Sequence, residues 1–262
     1  MAGKKKPPKS RPERTIHSVI VIFKLREVFP ISSPASVPFL RLIAATNDVR
    51  HLQKLVLSYS AENPANDVES LVREGENTCL IRMLCGHLYE AGNALHHLDG
   101  QCKKQVDELI KHDPEAVKLI KKLRHIYSDN SDGGLWKGLD KMRNQVSFHY
   151  PETAFAESLK DHPDDAKFAL VQYSGMGRYS ATDTIMKTIA IRALGGSRED
   201  FQNKVGEAIS LAGLLAQTVD LLIGALFEKY ETAILERKRG MVKVPNYLVA
   251  FEESALKGGY AL

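Results

Sequence analysis

The sequence predicts an all-α fold: a helical bundle with a small irregular or β-hairpin insertion. Three observations predict it. Apolar residues recur at three- and four-residue spacing through most of the chain, the signature of helices with one buried face. Clusters of Pro, Gly, Asn, Asp and Ser divide those stretches into helix-sized pieces. The composition, 44% hydrophobic and 26% charged over 262 residues, suits one large domain with a sizeable core.

Residues 1–14 are rich in Lys and Pro and are expected to form a disordered basic tail. They hold six cations against Glu13, a net of +5. The total of +4 therefore leaves −1 for the rest of the chain. Residues 18–29, SVIVIFKLREVF, are ambiguous: the β-branched run favours a strand, but a strand needs a partner. Three prolines and three serines make 30–38 a loop.

Helices follow. From Phe39 to Ser58, Leu42, Ala45, Val49, Leu52 and Val56 mark an apolar stripe. AENPAND at 61–67 breaks it. A long helix over 68–98 carries Leu71, Ile81, Leu84, Cys85, Leu88, Gly92 and Leu95. Asp113 and Pro114 are an N-cap and a first-turn proline, opening a helix over 113–127. SDNSDGG at 128–134 is a turn. Leu135, Trp136, Leu139, Met142 and Val146 form the apolar side of the next helix, which Pro151 ends.

DHPDD at 161–165 reads as a loop, and 168–180 as a hairpin with Gly175 and Gly177 at its bend. A helix spans 183–194. The last begins at Ser197, with Asp200 completing a capping pattern, and is expected to reach about Arg237. Its stretch ISLAGLLAQTVDLLIGALF belongs in the middle of a bundle or at an oligomer interface. The organisation expected is a tail at 1–14, one bundle domain at 15–240 and a peripheral segment at 241–262.

Several functional classes lack their signatures. Cys79, Cys85 and Cys102 are odd in number and show no CxxC spacing, which points to a reducing cytoplasm. No stretch has the length and apolarity of a membrane span. There is no GxxxxGK[ST], GxSxG or HExxH, and Glu90 is followed at +3 by Asn93 rather than His. No metal or cofactor is expected.

The segment KMRNQVSFHY, residues 141–150, carries the chemistry. An Arg beside a His suits phosphodiester cleavage by the RNA 2′-hydroxyl. The imidazole exchanges protons with the hydroxyl or the leaving oxygen, while the guanidinium holds the phosphate and its developing charge. Here Arg143 is the phosphate holder, His149 the proton-transfer group and Asn144 the orienter. On an α-helical wheel Arg143 and His149 stand about 120° apart, bordering one groove. The same positions also suit a half-buried structural histidine beside Met142 and Val146, with Arg143 in a surface salt bridge.

Arg143, the adjoining Asn144, and His149 after five intervening residues fit the pattern R-x(4–6)-H. This arrangement, late in a helix of an all-α bundle, resembles the HEPN superfamily (higher eukaryotes and prokaryotes nucleotide-binding). The resemblance rests on about eight residues and is compatible with 39–238. It implies a four- or five-helix bundle that dimerises to bring two motifs together. It also implies RNA or nucleotide binding, in many members metal-independent endoribonuclease activity in defence and toxin systems. In such bundles a polar residue of an earlier helix supports the Arg/His site. Along 82–98, Arg82, Glu90, Asn93 and His97 share a face, and Glu90 or His97 is the expected support. Lys4, Lys5, Lys6 and Lys141 are expected to add salt-sensitive contacts to RNA. The expected partners are RNA and a second copy of the chain. Two alternatives stand beside this: a non-enzymatic helical interaction module in which Arg143 and His149 are structural, and a nucleotide sensor using the same pocket without cleavage.

Overall fold

A computed structural model describes residues 14–61, 64–131, 133–147, 152–160, 170–173 and 176–244. Among these, the fold is an all-α bundle with two small antiparallel β-ribbons. The order is β1 (Arg14–Phe23), α1 (Leu25–Val28), α2 (Ser36–Ala61), α3 (Asp67–Ile110), α4 (Pro114–Ser128), α5 (Leu135–Met142), a π turn (Arg143–Ser147) and α6 (Glu152–Lys160). It continues with β2 (Leu170–Tyr173), β3 (Met176–Tyr179), α7 (Ser180–Leu194), α8 (Arg198–Lys229), a 3-10 turn (Glu231–Ala233) and β4 (Ile234–Val244).

The long helix α3 is the axis of the bundle. It packs against α2, α4, α5, α7 and α8. Its Leu84, Leu88, Ala91, Leu95 and Leu98 are buried at three- and four-residue spacing. Each buried leucine contributes about 1.5–3 kcal/mol through the water it sheds. Asn66 caps α3 by accepting the Glu69 N–H at 2.9 Å. The helix runs past Leu98 to Ile110 and kinks at Cys102 (φ −137°, ψ 17°), just after Gly100.

Local signals set several other termini. Asp113 accepts from the N–H groups of Glu115 and Ala116, each at 3.0 Å, and Pro114 follows at the first turn of α4. Ser197 accepts from Asp200 N–H at 3.0 Å and donates to the Asp200 carboxylate at 2.6 Å, which opens α8. Residues Ala208, Leu211, Ala212, Leu215, Val219 and Leu222 of α8 are buried, and it packs against α2, α3 and α4. By length and composition α8 is apolar enough to cross a membrane, contrary to the expectation that no stretch is, and 39% of its apolar window is buried in the bundle.

Elsewhere, too, the chain departs from the sequence reading. The helix expected to reach Arg237 ends at Lys229, and residues 234–244 form β4 instead. Its partner is β1, so the β-branched run near the start finds its pairing near the other end, from Arg14↔Val244 to Phe23↔Ile234. Residues 241–244, expected to be peripheral, complete that strand. A short helix, α6, fills part of the stretch after Pro151 that carried no helical expectation. The hairpin expected over 168–180 is β2–β3, with Leu170↔Tyr179 and Tyr173↔Met176 in register; Gly177, expected at the bend, instead pairs with Gln172 inside β3, and Gly175 lies outside the described residues. The expected disordered tail lies outside the described residues except for Arg14, which opens β1.

The β1–β4 ribbon joins the helices at its base. The Lys24 N–H donates to Ala233 O at 2.9 Å, and Phe23 packs on Phe29 and Phe227 at ring separations of 6.4 and 5.0 Å. Nine steps of strand at about 3.3 Å each separate Phe23 from Arg14 by about 30 Å.

Candidate functional site

Two segments meet to form the site: the middle of α3, and α5 with the π turn that follows it. Gly134 starts α5, whose Leu135, Trp136, Leu139 and Met142 are buried and seat it on α3 and α7. Its other side carries Asp140 and the exposed Lys141. At Arg143 the backbone changes from α to π and stays so through Ser147. A π turn inserts an extra residue into the helical ladder, and such insertions are frequent at functional sites.

The π turn is pinned from α3. Arg82, buried at 8% exposure, donates from Nε to the Val146 carbonyl at 2.9 Å. Val146 itself is fully buried. A guanidinium held inside the protein thus satisfies a carbonyl of the widened turn, in a charge-assisted bond stronger than a neutral one.

Arg143 stands at the rim. Its Nε faces Glu90 Oε1 at 3.3 Å, and its Nη1 donates to Asn144 Oδ1 at 3.0 Å. Asn144 Nδ2 in turn donates to Asp140 Oδ1 at 2.8 Å. The result is a chain Glu90–Arg143–Asn144–Asp140 that fixes the guanidinium from two sides. Arg143 and Glu90 each keep 35% of their side-chain surface in water, so the pair orients more than it stabilises.

Tyr89 closes the inner side of the chain. Burial and a hydrogen bond to Asp140 hold its phenol above the usual tyrosine range, while Asn93 and the charge of Arg143 pull the other way. Its ring stacks on Trp136 at 4.6 Å and 14°. Trp136 also meets Tyr127 and His96 edge-on, so the apolar floor of the site is a fixed cluster of rings.

The structure therefore brings Arg143, Asn144 and Glu90 together. His149 lies outside the described residues, two positions past the π turn. The angle of about 120° between it and Arg143 assumed an α-helix throughout, and the π turn at 143–147 removes that assumption. His97 is exposed and lies about 10 Å farther along α3 than Glu90, two turns away from Arg143. Lys141 is exposed beside Asp140, and Lys4, Lys5 and Lys6 fall outside the described residues. Sequence reasoning missed Tyr89 and Asp140. Asp140 precedes Asn144 by four residues, the spacing of neighbours on a helix, and that signal was available.

Among the described residues, no group of three or more His, Cys, Asp or Glu side chains is placed to hold a metal ion. A separate depression between Phe29, Phe39, Val106, Leu226 and Tyr230 is chiefly apolar and does not include the Arg143 cluster. The cluster is an open, polar surface site over an aromatic floor. Comparison with protein-family models, with curated proteins and with solved structures finds no match.

Proposed function

We propose that this chain is a HEPN-like RNA-binding protein and a metal-independent endoribonuclease of the defence or toxin type, acting as a homodimer. The observation that carries the reading is the Arg143 guanidinium, oriented by Glu90 and Asn144 while still open to solvent. An open site suits a polymer better than a small metabolite, which binds in an enclosed pocket.

In this reading the neutral imidazole of His149 takes the proton of the RNA 2′-hydroxyl. The O2′ attacks the adjoining phosphorus, the P–O5′ bond breaks, and an imidazolium (that of the second copy in the dimer) returns a proton to the leaving oxygen. Arg143 holds the phosphate and stabilises the charge that grows on it, and Asn144 keeps Arg143 in register. Glu90 positions Arg143 without touching the substrate.

A second reading, the non-enzymatic interaction module, draws on the same geometry. With Nε and Nη1 engaged by Glu90 and Asn144, Arg143 also serves as a brace between α3 and the π turn. Cleavage of labelled mixed-sequence RNA in EDTA separates the two. The nuclease reading expects 2′,3′-cyclic phosphate and 5′-hydroxyl ends from the wild type and none from folded His149→Ala or Arg143→Ala. Equal cutting by the variants, or none by the wild type, defeats it and leaves the module.

A further inference from the structure

One end of the bundle holds cations that nothing neutralises. Residues 103–125, the last two turns of α3 and most of α4, carry seven cations against four carboxylates. The other described side chains hold 18 cations against 20 carboxylates, so the positive excess of the described part is gathered here. Pairing within this end is selective. Arg124 is held by Asp99 at 2.6 Å and by Asp107 at 2.7 Å, and Lys111 by Glu108. Asp113 is engaged as the cap of α4, and Glu115 stands in the first turn, where the helix dipole favours it. Lys103, Lys104, Lys118, Lys121 and Lys122 are exposed, and among the described residues they have no ion-pair or hydrogen-bond partner for their ammonium groups.

These five share one surface. Lys118, Lys121 and Lys122 stand three and four residues apart, on one side of α4. Arg124, bonded to Asp99 and Asp107, ties α4 alongside the stretch of α3 that carries Lys103, four residues from each aspartate. Lys104 follows on the same turn. Like charges four residues apart, as at Lys118 and Lys122, destabilise a helix, so folding gains nothing from the arrangement.

We propose that this five-lysine surface of α3 and α4 is a sequence-independent docking site for the phosphate backbone of RNA. Three physical points favour a nucleic acid. Counterion release gives a cationic surface affinity for a polyanion without any apolar anchor. This surface has that composition: every large apolar side chain exposed among the described residues lies outside 103–125. A protein partner is met by aromatic and Arg anchors with Lys depleted, and a helix seated in a bilayer needs an apolar face. Lys104 lies about 20 Å along α3 from Glu90, so a strand whose phosphate meets Arg143 has the surface within reach of its flank. That third point rests on the function proposed above, and the first two do not.

The test is fluorescence anisotropy with the full chain and a labelled 2′-O-methyl RNA of about 30 nucleotides, which keeps the phosphates and removes the nucleophile. Binding is measured over a salt series in EDTA. Replacing Lys118, Lys121 and Lys122 together by Gln is expected to lower the slope of log affinity against log salt by about 2, at about 0.7 per phosphate released. Affinity near 100 mM salt falls about 10- to 100-fold. Lys121→Arg with Lys122→Arg keeps the slope, because the charge is kept. Arg41→Gln with Lys54→Gln, two exposed cations of α2, leaves it nearly unchanged. If the α4 variant loses its fold by circular dichroism, Lys103→Gln with Lys104→Gln carries the same test, with a slope about 1.4 lower. This pattern supports the docking site even where the wild type leaves ordinary RNA uncut, an outcome that defeats the nuclease reading alone. The proposal is overturned if the wild type shows no salt-dependent RNA binding, if neutralising the lysines leaves affinity and slope as they were, or if they retain phosphatidylserine vesicles but not RNA.

Discussion

Gly92→Ala is the sharpest probe of how the site is seated. A methyl group built on Gly92 would lie 2.5 and 2.7 Å from two ring carbons of Tyr127 and 2.6 Å from a ring carbon of Trp136. Carbon atoms rest at about 3.5–4.0 Å, so both rings must move by about 1 Å. Neither has room. Tyr127 is fully buried and donates its hydroxyl to Leu88 O at 3.1 Å, and Trp136 is stacked on Tyr89. Overpacking of this kind costs about 1–3 kcal/mol. Disturbing the Tyr127 hydrogen bond adds about 1 kcal/mol. Against this, alanine gains about 0.8–1 kcal/mol over glycine in a helix. The balance is a loss of about 1–3 kcal/mol, a fall in Tm of about 2–12 °C for a domain of this size. Gly206→Ala on α8 is the matched control, since nothing lies within 4 Å of its added methyl. It should stabilise by up to about 1 kcal/mol. Urea unfolding followed by circular dichroism measures both, and fluorescence of Trp136, the single tryptophan, reports the site itself. A Gly92→Ala protein as stable as Gly206→Ala would refute the close seating of α4 and α5 on α3.

Two further outcomes follow from buried groups. Arg82→Met keeps the length of the side chain but strands the Val146 carbonyl. The loss should be about 1–3 kcal/mol by denaturant titration, with hydrogen exchange rising first over 143–147. Stability should also fall in alkali. Burial pushes the Cys85 thiol from 9.0 up to about 12 and the Tyr127 phenol well above 10.0. The unfolded chain therefore gives up these protons at lower pH than the folded one, so stability is full below about pH 9 and declines as pH rises above it. Denaturant midpoints at about pH 8 and pH 10.5 check this, and Tyr127→Phe should weaken the dependence.

Features written in neighbouring residues were legible. The Asp113-Pro114 start of α4 and the Ser197–Asp200 cap of α8 depend on bonds spanning two or three positions. The stripe of Leu84, Leu88 and Leu95 identified the buried face of α3 because periodicity is local too. The end of α8 was not legible. Nothing near Ile234 reveals that its strand partner is Phe23, and that distant pairing overrides the helical tendency of LERKR. The site shows the same division. Arg143 and Asn144 stand out as a motif, and Glu90 lies on the polar face of α3. The π turn that holds them depends on Arg82 reaching across from another helix, which no window of sequence around residue 143 contains.

The pairing of β1 with β4 has a consequence for biosynthesis. Residues 14–23 leave the ribosome before their partner, which is synthesised about two hundred positions later. At about 5–20 residues per second, SVIVIF waits about 10–40 s for β4. Through that interval an uncharged, proline-free, β-branched hexapeptide has no native partner, the composition that self-associates as stacked strands. Charged residues flanking such a segment oppose that association, and Lys4, Lys5, Lys6 and Lys9 precede this one in sequence.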